Sequence, residues 1–78
     1  MALLKRKQTA NAVRVFQQNV VSRPDAFEAN ADLGEALLAD GKRAEAVPYL
    51  EKALALKPDA RLRVLLDAAK RRPGALEP

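Results

Sequence analysis

The chain has 78 residues, 49% of them apolar and 31% charged, with 14 lysines and arginines against 10 acids for a net charge of +4. That is the composition of one small folded domain, and it excludes a disordered chain. Cysteine and histidine are absent, which removes disulfides, thiol chemistry, the usual zinc ligands and the commonest general base.

In chain order, Ala2-Leu3-Leu4 reads as the last turn of one helix, and Gln8 or Thr9 opens the next. Its apolar side runs Val13, Phe16, Val20 until Arg23-Pro24 stops it. Asp25 is the expected N-cap of a second helix, with Glu28 three residues on as the capping-box partner and Phe27, Ala31, Gly34, Leu37 and Leu38 on one face. Asp40-Gly41 ends it, because glycine takes the left-handed conformation at low cost. A third helix, Lys42 to Leu56, places Ala46, Val47, Leu50, Ala53 and Leu54 on one side, and Pro48 is expected to bend it. Asp59 caps a last short helix carrying Leu62, Leu65, Leu66 and Ala69, and Pro73-Gly74 leaves a flexible tail over 73–78. Nothing alternates with period two, so the fold class is all-α. No apolar run approaches the roughly 20 residues that span a bilayer. The start, Met1 to Lys7, has its charges after its apolar residues, the reverse of a signal peptide, leaving the cytoplasm as the default compartment.

The strongest signal is internal repetition. Residues 2–26 recur 34 positions later as 36–60: Ala2-Leu3-Leu4 as Ala36-Leu37-Leu38, Ala12-Val13 as Ala46-Val47, Pro24-Asp25-Ala26 as Pro58-Asp59-Ala60. A period of this size marks stacked supersecondary units that bury their apolar faces against one another. The complete unit reads Asn30-x2-Leu33-Gly34-x2-Leu37, then Ala46-x3-Leu50, then Pro58, and the preceding half reads Ala12-x3-Phe16, then Pro24. In these residues the chain resembles the tetratricopeptide repeat family, whose antiparallel helix-turn-helix units stack into a solenoid. The resemblance implies a domain over 1–72, made of a half repeat 2–24, a full repeat 25–58 and a capping helix 59–72, with small residues such as Gly34 and Ala46 where helices approach closely. Asn30 departs from the family's tryptophan, and Asp67, Ala68 and Arg71 stand where Leu33, Gly34 and Leu37 stand one unit earlier, which makes the last helix a polar cap. Stacks generally need about three repeats, so the chain is expected either to be a piece of a longer protein or to pair its apolar Ala2-Leu3-Leu4 end with a second copy.

The run Ala12-Val13-x2-Phe16-x2-Asn19-Val20-x3-Pro24, followed by Leu33-Gly34-Glu35-Ala36, is also similar to repeats appended behind the catalytic domain of bacterial serine hydrolases of the β-lactamase-like and esterase type. Such a parent implies a packing or regulatory extension, exported if the hydrolase is secreted. The chain itself has no Gly-x-Ser-x-Gly and no Ser-x-x-Lys, and its single serine, Ser22, is a helix-end residue, so no catalysis and no cofactor are expected.

Charge adds a candidate site. Asp25, Glu28, Asp32, Glu35 and Asp40 all fall in or beside the second helix with no lysine or arginine among them, and Glu28, Asp32 and Glu35 share one helical stripe. By the resemblance, this helix lines the concave surface on which peptides dock. Glu28 and Glu35 would then face the groove with Ala31 and Leu38, with Asp32 and Leu65 at its edges, and the partner would be a protein or peptide, basic in character. The competing reading is that the stripe simply pairs with Arg61, Arg63 or Lys70 on the last helix. The family's carboxylate clamp, built from lysine and asparagine, is disfavoured because Ala31, Asp32 and Glu35 occupy the corresponding positions. Nucleic acid is disfavoured too: Lys5-Arg6-Lys7 and Lys70-Arg71-Arg72 have no aromatic among them for base stacking.

Overall fold

A computed structural model describes residues 2–71, with side chains from Gln8 onward. Four helices follow one another: α1 (Ala2–Ser22), α2 (Phe27–Ala39), α3 (Arg43–Leu56) and α4 (Ala60–Lys70), with no strand among the described residues. Helix α2 is the hub, packed against α1, α3 and α4, whereas α1 meets only α2 among the described helices.

The α2–α3 hairpin turns on Gly41, at φ +81°. Its N–H donates to the Leu38 carbonyl at 3.0 Å while the Lys42 N–H reaches back to Leu37 at 2.8 Å, the paired bonds of a Schellman cap. The antiparallel pair closes tightly behind this turn because Gly34 faces Leu50, where a Cβ would lie 2.6 Å from Leu50 Cδ2. Leu33 and Leu37 of α2, Ala46, Leu50 and Ala53 of α3, and Leu62 and Ala69 of α4 form one buried core, joined by Val13 of α1. Helix α4 is started as expected by Asp59, whose Oδ1 accepts the Leu62 N–H at 3.0 Å, a cap worth about 1 kcal/mol. Helix α3 runs on through Pro48, which is exposed.

Two local expectations are corrected. Ala2-Leu3-Leu4 is not the end of a separate helix, for α1 continues unbroken from Ala2 to Ser22. The reason lies in the repeat register: Lys7 occupies the position of Gly41, so the residue that would turn the chain is replaced by a good helix former. Nor does Asp25 cap α2. The N-cap is Ala26, without a side-chain cap, and Asp25 instead pairs with Lys52 of α3 at 3.3 Å. The proposed 73–78 tail and the side chains of the Ala2-Leu3-Leu4 contact lie outside the described residues.

Candidate functional site

The acidic stripe divides into tied and untied carboxylates. Glu35 is half-buried and bidentate with Arg61 of α4, at 2.7 and 2.8 Å, which keeps the guanidinium above its ordinary pKa through that hydrogen bond and the carboxylate's charge. The pairing reading therefore holds for Glu35. Lys70 goes elsewhere, to Glu51 at 3.3 Å, and Arg71 pairs with Asp67 at 3.3 Å, so the described part of the second basic cluster is engaged in surface pairs. Glu28 and Asp32 are exposed and have no cationic partner among the described residues.

Of the other expected groove residues, Leu38 and Leu65 are half-buried at the rim of the core. Ala31 needs correction: it is only 5% exposed and belongs to the core, so it offers no floor to a ligand. The open surface beside the stripe lies instead between α1 and α2. There a cleft of about 400 Å³ is walled by Ala12 and Phe16 on one side and by Asp32, Glu35, Ala36 and Ala39 on the other. A second hollow continues past Asp32 toward Glu28, Asn19 and Arg23, so Asp32 stands at the junction of the two. The hollow at Gly41 to Glu45 is made by five consecutive hairpin residues and draws on no second element.

Asp32 bears the electrostatic mark of this arrangement. Partial burial first, then the neighbouring charges of Glu35 and Glu28, raise its carboxyl above the ordinary value, against a smaller opposing effect of Arg61. The folded chain thus holds this proton more tightly than the unfolded chain, and stability falls as pH rises from the ordinary carboxylate range through the raised value. Asp32→Asn is expected to raise the melting temperature slightly at pH 7, within the roughly 0.5 kcal/mol typical of surface changes, and to leave it unaltered at pH 3. A gain of equal size at both pH values would mean the charge is not the cause.

The residue that sequence reasoning undervalued is Asn30, fully buried at the start of α2. Its Nδ2 donates to the carbonyls of Pro24 at 3.0 Å and Ala26 at 2.8 Å, tying the α1–α2 turn to the helix that follows. The asparagine six positions after a helix-stopping proline was the available signal. Lys57 completes this corner, its ammonium 5.4 Å from the centroid of the Phe27 ring.

Residues 27–60 match the family model for the tetratricopeptide repeat. The match begins with the first residue of α2 and ends with the first of α4, so it covers the Gly41 hairpin and the Gly34–Leu50 crossing. The chain carries a tetratricopeptide repeat. No curated protein and no solved structure matches it. Tetratricopeptide repeats generally mediate protein–protein interaction and are typically non-enzymatic, and among the described residues no helix is long and apolar enough to cross a membrane.

Proposed function

We propose that the chain is a non-catalytic interaction module that docks a basic protein segment against the acidic side of α2. What supports this reading is the contrast along one stripe: Glu35 is already paired with Arg61, whereas Glu28 and Asp32, beside an open cleft, form no ion pair among the described residues. The docking surface is Glu28, Asp32 and the cleft wall of α1, with Leu38 and Leu65 as apolar rim on the other side of the stripe and Glu35 as a fixed element rather than a free acceptor.

Exposed charges of this kind act over about 8–10 Å at moderate ionic strength, so binding should weaken as salt is added. Titration with an oligolysine peptide is expected to give binding to the natural chain and none to the double variant Glu28→Lys, Asp32→Lys at the same ionic strength, with helical circular dichroism unchanged. Equal binding by both would refute the assignment of this surface.

A further inference from the structure

The internal repeat specifies the shape of what fits between α1 and α2. Shifting by 34 residues superimposes Ala12 and Phe16 of α1 on Ala46 and Leu50 of α3, and Asp32, Glu35 and Ala36 of α2 on Leu66, Ala69 and Lys70 of α4. The α1–α2 cleft is therefore the register equivalent of the α3–α4 cleft, and the α3–α4 cleft is filled: α2 lies against both of its walls, with Gly34 on Leu50. Shape alone thus calls for a helix with a small residue at the crossing over Phe16.

Chemistry then changes the occupant. Where α4 presents Leu62, Leu66 and Ala69, α2 presents Glu28, Asp32 and Glu35, so an apolar wall has become an anionic one. Nor does the preceding part of α1 fold back to fill the space, because Lys7 stands in place of the turning glycine and the helix runs straight on to Ala2. Among the described helices of a second copy, α4 is the one of the right type with an open outer face. That face carries Asp67 and Arg71 where α2 carries the buried Leu33 and Leu37, and the two are already paired with each other at 3.3 Å. Burying them against Phe16 would strand both charges.

We infer that the α1–α2 cleft accepts a basic amphipathic helix of a partner protein, laid in as α2 lies in the α3–α4 cleft, with a glycine or alanine over Phe16 and lysine or arginine toward Asp32 and Glu28. This rests on the functional reading above and adds the conformation and seat of the ligand.

The test uses the full 78-residue chain and three synthetic peptides. One has the sequence of residues 25–42 with Glu28→Lys, Asp32→Lys and Glu35→Lys, which keeps the Leu33, Gly34, Leu37 stripe. The second is the unaltered acidic parent. The third has the composition of the lysine peptide, scrambled around a central proline so that no helix forms. The lysine peptide is expected to bind with a gain in helical circular dichroism, and about ten-fold or more tighter than the other two. The chain variant Glu28→Lys, Asp32→Lys should reverse the preference between the lysine and acidic peptides. Equal binding of the scrambled peptide would overturn the helical seat while leaving basic docking standing, and failure of all three would overturn both. Undiminished binding of the lysine peptide to the variant would mean that it displaces α2 instead, which also overturns the inference. So would a dimer of the chain that the lysine peptide dissociates, since the occupant would then be a second copy.

Discussion

Leu50→Ala is expected to lower the free energy of unfolding by about 2–5 kcal/mol, a large part of the roughly 5 kcal/mol available to a chain of this size. Leu50 is fully buried and packs directly against Gly34 of α2. The companion change Gly34→Ala isolates that contact. In the natural chain the added methyl group would lie 2.6 Å from Cδ2 and 2.7 Å from Cγ of a fully buried side chain. Overpacking of this kind costs about 1–3 kcal/mol and outweighs the roughly 1 kcal/mol gained by replacing glycine inside a helix. With Leu50→Ala already present the collision is gone, and only the helix gain and some refilling of the cavity are left. Gly34→Ala should therefore destabilise the natural chain and stabilise the variant. Urea midpoints of the four chains measure the coupling, and a Gly34→Ala effect of the same sign in both backgrounds would rule out this crossing as the source of the small-residue requirement.

The fold was legible because its determinants are local and repeated. Gly41, Asp59 and the spacing of Leu33, Leu37, Ala46 and Leu50 each carry their instruction within a few residues, and the 34-residue recurrence says how the pieces stack. The two local differences have separate physical reasons. Lys7 stands where the repeat has its turning glycine and continues the helix, and Asp25 spends its carboxylate on a salt bridge across to Lys52 rather than on a cap.

The candidate site was legible in composition and not in partition. That Glu28, Asp32 and Glu35 share a stripe follows from helical spacing. Which of them is free depends on where Arg61 lands after two further turns, and Arg61 reaches Glu35 and leaves the other two. Ala31 shows the same limit from the apolar side, since one residue's rotation about α2 separates the groove from the core. The shift of the open surface from the α2–α4 side to the α1–α2 side follows from these two facts together. The α2–α4 side is bridged by Glu35 and Arg61, and the α1–α2 side has only α1 to cover it.

Asn30→Asp is expected to cost about 3 kcal/mol or more although it changes a single atom. Both amide hydrogens of Asn30 are committed, to the Pro24 and Ala26 carbonyls, and its Oδ1 has no partner among the described residues. A carboxylate removes two hydrogen bonds of about 1 kcal/mol each, brings anionic oxygens against two carbonyl oxygens, and adds the desolvation of an unpaired buried charge. Asn30→Ala loses the same two bonds but also removes the unpartnered oxygen, so it should cost less than the aspartate substitution despite deleting more atoms. Acid separates the causes further. The new carboxyl is neutral more readily in the folded chain than in the unfolded one, so its destabilisation is full at pH 7 and shrinks as pH falls toward the ordinary carboxylate range, while the deficit of Asn30→Ala stays level. Chemical denaturation at pH 7 and pH 4 distinguishes them. An alanine variant less stable than the aspartate one at pH 7 would show that Asn30 serves as filler, and that the α1–α2 turn is held by something other than its two hydrogen bonds.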